Sequence, residues 1–508
     1  MSSAQLPSLD SHSLKVRRAE GLVKLSLRAR GVAFISTQVE LALMIRTKIV
    51  ATLGPASWSE EVVRRLVFEG VRVFRLNFSH ANYEKYAEIV KMLRTLETPT
   101  RPIMLLGDLQ GPVIRLGNFN PFKVSPGDEV TIVNEEEVGE AGRVPVPEHT
   151  FFEIVREGDE ILIEGGLLVF RVTRVLSSGV ACRALIEGEV KPRKTVTIRG
   201  KDVPLPTITE KDMKDIEYAV KTGFDAVALS FVRGPQDVQQ LRDVLFDLGA
   251  EDIKVVAKIE TKSGVESLGA ILQLSDAVLV ARGDLANYYE LQEIYRLQGF
   301  IIREARRHGK PSIVATQLLE SMISNPTPTR SEVVDVITAV RMGADSLLLA
   351  GETAAGKYPV ESVVWLKKII SEAEKLPGEP LDIKPDRSEL YESMAEGVVL
   401  LSRAINAKIV AFSEKGNTAR RLSKFRPHLP TILFTSDVRT ARYSNLMYGV
   451  VPIYDKDLQK TDPDLFSKML TRALENNLVN AGELVVFTSG RRRGSTDLVS
   501  VERVKAGE

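Results

Sequence analysis

The chain has 508 residues, which at roughly 150 residues per domain predicts about three domains. Its 68 Lys+Arg against 67 Asp+Glu leave a net charge of +1, so there is no electrostatic case for a nucleic-acid or anionic-membrane partner, and neither is expected. A single cysteine, Cys182, excludes an internal disulfide framework and Cys-based metal sites, and the 5 histidines are too scattered for a multi-His site.

Any metal must therefore sit on oxygen ligands, which favours Mg²⁺ or Mn²⁺. Hydrophobic residues at 44% and charged residues at 27% are the mix of a soluble globular protein, and no apolar run reaches the length of a membrane span. A cytoplasmic location is expected. Residues 1–43 are basic and Ser-rich without a long apolar stretch, which weighs against a secretion signal. A flexible extension or an over-extended start is the expectation, ahead of an organelle transit peptide.

From Met44 short apolar runs alternate with helical patterns. The runs lie at 47–53, 71–76, 103–108, 225–230, 254–260, 277–282, 312–316 and 345–350. Each is short and nearly continuous, as strands buried on both faces should be. Helix punctuation falls between them: Ser57 with Glu60 reads as a capping box, Thr209 with Asp212 as another, and Gly70, Gly223, Gly249 and Gly309 as stops. Eight such units predict a (β/α)₈ barrel over 44–111 and 205–375.

Between the third and fourth runs lie more than a hundred residues with strand-like segments (EVTIV, EILIEGGLLVFRVTRV, GVACRALIEGEV, KTVTIRG) separated by turn residues. They predict a small β-barrel lid domain, 112–204, inserted in a βα loop and so on the catalytic face of the barrel. Residues 380–388 read as a linker. Further α/β alternation, with strands near 408–413, 431–436, 450–454, 483–488 and 499–504, predicts an open-sheet α/β domain over 389–508.

Polar residues gather at the C-terminal ends of the barrel runs: Arg75, Asn77, Ser79 and His80; Asp108 with Arg115 beyond it; Ser230; Lys258 and Glu260; Gly283 and Asp284; Thr316. Residues i and i+2 of a strand share a face, so Lys258 and Glu260 both point to the barrel mouth. Glu260 and Asp284, from neighbouring strands, can share a hard cation completed by substrate or water oxygens. Lys258, with Arg75, Arg115 and Lys211 nearby, suits a strongly anionic substrate. Metal-assisted handling of an anionic enol or phosphate is the chemistry so read.

Long motifs then carry a resemblance: RTKIVATLGPAS (46–57), RLNFSH (75–80), KIE (258–260), ARGDL (281–285), KPSIVATQLLESMISNPTPTRSEVVDV (310–336) and GETAAGKYPVESV (351–363). From Met44 onward the chain resembles the pyruvate kinase family. The resemblance implies phosphoryl transfer from phosphoenolpyruvate to ADP, giving pyruvate and ATP, in a homotetrameric allosteric enzyme. It implies Glu260 and Asp284 as Mg²⁺ ligands, and Lys258, Thr316 and Arg75 as catalytic residues. Ser230, Gly283 and Asp284 join them around the substrate, while Thr52, Pro55, Asn77, His80, Arg115 and Lys211 border the nucleotide. A phosphorylated effector is expected at Ser413, Lys415, Asn417, Thr418 and Arg491.

The family's K⁺ position falls on Asn77, Ser79, Asp108 and Leu109. Most relatives read D-T-K-G-P-E-I-R-T there, whereas this chain reads Asp108-Leu-Gln-Gly-Pro-Val-Ile-Arg-Leu116. Val113 replaces a glutamate, and Leu109, Gln110 and Leu116 resemble the K⁺-independent branch, so K⁺ is not expected to be required. After Asp284 the usual L-G-V/I-E becomes Leu-Ala-Asn-Tyr, and the lid's paired aspartates become Glu164-Gly165. Two alternatives stay open: a Mg²⁺-dependent pyruvate aldolase-type barrel enzyme, and a non-catalytic regulatory pseudo-kinase.

Overall fold

The structure is a computed structural model that describes residues 45–505 apart from 141, 377–382, 384, 386–388 and 491–494. The extension 1–43, most of the 380–388 linker and Arg491 therefore lie outside the described residues.

Strands β1 (Lys48–Leu53), β2 (Val73–Asn77) and β3 (Met104–Asp108) open the barrel. The chain then leaves it for β4 (Phe122–Val124), β5 (Glu129–Val133), β6 (Arg143–Pro145), β7 (Glu160–Ile163), β8 (Leu168–Leu176), β9 (Gly179–Ala184), β10 (Gly188–Val190) and β11 (Val196–Ile198). It returns for β12 (Ala226–Leu229), β13 (Lys254–Ile259), β14 (Ala277–Ala281), β15 (Ser312–Ala315) and β16 (Ser346–Leu349). These eight parallel strands close in the order β1-β16-β15-β14-β13-β12-β3-β2.

Strand periodicity divides the barrel residues into two cores. Val50, Val73, Met104, Leu106, Ala226, Ala228, Val256, Leu279, Ile313 and Leu348 fill the interior, while their neighbours Ile49, Ala51, Phe74, Leu105, Val227, Val255 and Val278 pack outward against the helices. Following the inward parity toward each C-terminal end gives Val73–Arg75–Asn77, Leu106–Asp108, Ala228–Ser230 and Val256–Lys258–Glu260. The polar mouth is thus the inward face continued beyond its apolar layers.

Helix punctuation differs from expectation at one place. The first barrel helix begins at Glu60, capped by Ser59, whose side chain accepts from Val62 N at 3.3 Å. Ser57 instead accepts from Gly54 N at 3.1 Å, because Pro55 starts a separate 3₁₀ turn that displaces the helix start by two residues. The Thr209–Asp212 box forms, and Gly223 ends that helix at φ 78°.

In the insert, β11-β7-β8-β9-β5-β6 form one six-stranded sheet and β10-β4 a two-stranded ribbon, around a core that includes Ile132, Phe151, Ile161, Phe170 and Cys182. The C-terminal domain adds β17 (Lys408–Phe412), β18 (Thr431–Thr435), β19 (Val450–Tyr454), β20 (Leu484–Ser489) and β21 (Leu498–Arg503). They pair in the order β19-β18-β17-β20-β21, parallel except for β21. This domain closes the N-terminal end of the barrel: Lys48 Nζ donates to Val450 O at 2.7 Å and Ser346 Oγ to Leu446 O at 3.2 Å. Leu446 and Met447 continue the interior core into the domain. The opposite, C-terminal end stays free for the lid. No helix among the described residues is long and apolar enough to cross a membrane.

Candidate active site

The centre of the mouth is Lys258. Its Nζ donates to Ser230 Oγ at 2.6 Å and stands 3.4 Å from Asp108 Oδ1 and 3.6 Å from Glu260 Oε2. Ser230 in turn donates to Leu109 O at 2.7 Å. Arg75 donates from Nε to Asp108 Oδ2 at 2.6 Å and from Nη1 to Thr52 Oγ1 at 3.0 Å. Two cations therefore grip one carboxylate from both sides.

Burial sets the electrostatics. It would raise Asp108, but Lys258 and Arg75 outweigh it and hold the carboxyl below its usual range. Burial would likewise lower Lys258, yet Asp108, Glu260 and Asp284 around it hold the ammonium above its ordinary value. Glu260 is fully buried and pushed up to about 8, chiefly by desolvation and against the attraction of Lys258. One of its oxygens accepts from Phe231 N at 2.6 Å. The other, Oε2, is buried with no hydrogen-bond partner, as is Asp108 Oδ1.

Lys258, 3.6 Å from Glu260 Oε2, offsets charge there without giving that oxygen a hydrogen bond, so it keeps lone pairs for a second cation. No group of three or more His, Cys, Asp or Glu that could hold a metal occurs among the described residues. A divalent ion on Glu260 and Asp284 would therefore take its remaining ligands from substrate and water, which suits Mg²⁺.

Gly283 and Asp284 lie in the one-turn helix Arg282–Leu285 that follows β14. Thr316 follows β15 at φ 71° and Gln317 at φ 53°, a left-handed turn that a β-branched residue adopts only where its surroundings impose it. Two contacts impose it here. Gly283 N donates to Thr316 Oγ1 at 2.9 Å, and the Arg282 guanidinium, itself paired with Asp335 at 2.6 Å, donates to Thr316 O.

The residues expected around the nucleotide spread along one rim. Asn77 Oδ1 accepts from Ser79 N at 3.2 Å, and Lys211 Nζ donates to Phe78 O at 2.6 Å and Asp215 Oδ2 at 2.7 Å. Pro55 starts the 3₁₀ turn after β1, and His80 is exposed. Arg115 is on the lid side, donating to Arg193 O at 3.2 Å. A cleft of about 170 Å³ between barrel and lid is lined by Ser79, Val113, Arg115, Arg233 and Asp284.

Asp202, Asn287 and Tyr288 also line this cleft and were not among the sequence candidates. Asp202 Oδ1 and Asn287 Oδ1 are buried without partners. Burial, with Asp202 next in weight, raises the Tyr288 phenol. The departure from the common motif after Asp284 is the one sequence signal for Asn287 and Tyr288, and Asp202 carries none.

The effector candidates form a separate cluster at the end of β17. Gly416 (φ 77°) precedes the helix Asn417–Lys424, Thr418 N donates to Ser413 Oγ at 3.3 Å, and Thr418 Oγ1 lies 3.0 Å from Thr496 Oγ1. Lys415 is exposed beside them. Arg491 lies outside the described residues.

Residues 44–363 match the family model "Pyruvate kinase, barrel domain" and residues 392–502 match "Pyruvate kinase, alpha/beta domain". Among curated relatives, "Pyruvate kinase 2" of Synechocystis is 36% identical over 472 residues, covering 91% of this chain and 80% of the relative. "Pyruvate kinase" of Staphylococcus aureus matches at 36% over 472 residues with the same coverage, 91% and 80%. Matches across both the barrel and the C-terminal domain favour neither the aldolase-type nor the pseudo-kinase alternative. With the closed barrel, the inserted lid and the C-terminal sheet all present, the chain belongs to the pyruvate kinase family and is a phosphotransferase.

Proposed function

We propose that the charged cluster at the barrel mouth carries the family reaction, transfer of the phosphoryl group of phosphoenolpyruvate to ADP, with Lys258 as its main electrostatic group. The observation behind this is the buried ammonium anchored on Ser230 at 2.6 Å, 3.6 Å from a Glu260 Oε2 that has no hydrogen-bond partner. Pyruvate kinases generally use Mg²⁺, and Glu260 and Asp284 are the residues that would hold it here, with Mn²⁺ suiting the same oxygens. Bound there, the ion supplies Lewis-acid charge to the substrate carboxylate and phosphate.

The chain's own groups do the rest. Arg75 exchanges part of its contact with Asp108 for the substrate phosphate, a change its planar fork allows. As the phosphorus–oxygen bond to the enolate breaks and the bond to the ADP oxygen forms, Lys258 opposes charge on the phosphoryl oxygens. Ser230 holds that ammonium in place, and the backbone of Gly283 borders the substrate carboxylate. The enolate left behind takes a proton at its terminal carbon to give pyruvate. Thr316 is placed for its delivery through water, since its oxygen is fixed by Gly283 N–H and its own proton is free to point elsewhere. Thr52, Pro55, Asn77, His80, Arg115 and Lys211 border ADP, and the lid excludes the water that would otherwise take the phosphoryl group.

K⁺ is not required on this reading. Asn77 Oδ1, Leu109 O and both Asp108 oxygens of the family's K⁺ position already face Ser79 N, Ser230 Oγ, Arg75 and Lys258. Val113 adds no negative charge for K⁺ to offset. The reading extends to a cytoplasmic homotetramer, for which exposed Leu291, Tyr295 and Val334 on the barrel surface offer apolar contact area. It also includes a phosphorylated effector at Ser413, Lys415, Asn417, Thr418 and Arg491, supported by a helix start that gathers the Ser413 and Thr418 hydroxyls and is capped by no side chain. Pyruvate formation from phosphoenolpyruvate, ADP and Mg²⁺, compared between the native chain and Lys258→Met, tests the assignment.

A further inference from the structure

The seam between the barrel and the C-terminal domain holds a second concentration of charge. Arg306, at the end of helix Ile294–Arg307, and Lys310 come from the barrel. Arg420 and Lys424, one turn apart on helix Asn417–Lys424, and Arg426 just after it come from the C-terminal domain. All five, with Asp345, line a partly open hole of about 10 Å³.

The acids nearby are already engaged: Asp276, the acid that acts on Lys310, pairs with Arg242 at 2.9 Å. Asp345 pairs with Arg426 at 2.6 Å and accepts from Ser312 N at 3.0 Å. Glu392 pairs with Lys424 at 2.6 Å. Among the described residues, the hydrogen-bond partners of the other three cations are carbonyl oxygens. Arg306 Nε donates to Lys424 O at 2.8 Å, Lys310 Nζ to Ser275 O at 2.6 Å and Arg420 Nη1 to His308 O at 3.2 Å.

A carbonyl satisfies an N–H but does not neutralise a unit charge. Three such cations in a half-buried seam repel one another where water screens them poorly. Burial lowers Lys310 to about 8 against the attraction of Asp276, with Arg420 adding to the lowering, and burial with Arg426 lowers Arg306, although a guanidinium keeps its charge. Replacing Gly309 by any residue with a Cβ would bring that atom to 3.2 Å from Arg420 Nη1, so the backbone at the rim is shaped closely around the guanidinium.

We propose that this seam binds a phosphate-class oxyanion, with one oxygen entering the hole among Arg306, Lys310 and Arg420. The hole is close to the smallest volume that holds one water, so it admits a single oxygen while the remainder of the anion faces solvent. Guanidinium forks and an ammonium are the donors that recognise phosphate oxygens. The ligand supplies the negative charge that the acids lack and links cations of both domains, acting as a clamp between them. The site is distinct from the Ser413–Thr418 loop: Arg420, in the first turn of that helix, reaches to His308 O of the barrel, and Lys424 sits at the helix's other end.

The test is thermal unfolding of the full chain without divalent metal, at ionic strength held by tetramethylammonium acetate. Inorganic phosphate or glycerol 2-phosphate is titrated into the native chain, Lys310→Met, and the Lys415→Ala/Thr418→Ala double variant. Phosphate is expected to raise the midpoint saturably by about two degrees or more in the native chain and the double variant. In Lys310→Met the shift is largely lost, while the phosphate-free midpoint is unchanged or higher, because an uncompensated cation has gone. A response to both probes assigns a phosphoryl group in general, and a response to inorganic phosphate alone assigns the free ion. An equal shift in Lys310→Met, or none in the native chain, overturns the proposal. Should Lys310→Met fail to fold, Arg420→Gln carries the same readout.

Discussion

Arg75 and Asp108, on adjacent barrel strands, form a 2.6 Å ion pair with Lys258 standing 3.4 Å from the second Asp108 oxygen. The Asp108 carboxylate of the proposed K⁺ position is thus already met by two cations of the protein. Substantial activity is expected in K⁺- and Na⁺-free buffer with tetramethylammonium as the only monovalent cation, with at most a few-fold gain on adding K⁺. Val113→Glu restores a carboxylate at the cleft and should create K⁺ dependence, because charges there are poorly screened. An enzyme silent without K⁺ and fully restored by it would show that the ligand set, not Val113, decides the requirement.

Glu260 and Asp284 are expected to act as a pair. Glu260→Ala or Asp284→Ala should raise the Mg²⁺ concentration needed for half-maximal activity steeply, by about tenfold or more. Direct Mn²⁺ binding to the substrate-free protein, followed by electron paramagnetic resonance, should weaken in parallel. A variant with native metal binding and lowered turnover would move the metal to other ligands.

The Ser413–Thr418 loop predicts a regulatory phenotype without a catalytic one. Lys415→Ala combined with Thr418→Ala should abolish the response of substrate affinity to phosphorylated sugars or nucleotides while leaving unstimulated activity intact. Unchanged effector titrations in that double variant would remove the loop from regulation.

Lys48 gives a pH signature at the barrel floor, where it donates to Val450 O at 2.7 Å and burial lowers its ammonium to about 8. The unfolded chain keeps this proton up to about 10.4 and the folded chain releases it earlier, so between the two values the unfolded state binds more protons. This group's contribution to stability therefore rises with pH in that window, and its full cost applies below it. The difference in unfolding midpoint between the native chain and Lys48→Met should shift toward the native chain from pH 7 to pH 10. A pH-independent difference would mean that Lys48 does not titrate there.

Much of this arrangement is legible in the sequence because strand parity is strict. Val256, Lys258 and Glu260 must share the inward face once Val256 is in the barrel core, and Arg75 follows Val73 in the same way. What sequence does not carry is which partner an inward side chain selects. Arg75 can face a phosphate or Asp108 from the same backbone, and rotamer choice, not register, puts it on Asp108. The helix start at Ser59 escaped because Pro55 inserts a short turn that the capping pattern alone does not reveal. Asp202, Asn287 and Tyr288 escaped because loops meet at the lid through tertiary packing, with no period to mark them. The charge imbalance around Lys310 and Arg420 is likewise invisible until residues more than a hundred positions apart are brought together.

The measurement that bears most directly on the central claim is single-turnover phosphoryl transfer in Lys258→Met with phosphoenolpyruvate, ADP and Mg²⁺, beside phosphoenolpyruvate binding to the same variant. Removing the ammonium should slow transfer by about 10²-fold or more while the folded protein still binds substrate, because its stabilisation is specific to the transition state. Native transfer rates in a folded, substrate-binding Lys258→Met would contradict the assignment and move the electrostatic role to another residue of the barrel mouth.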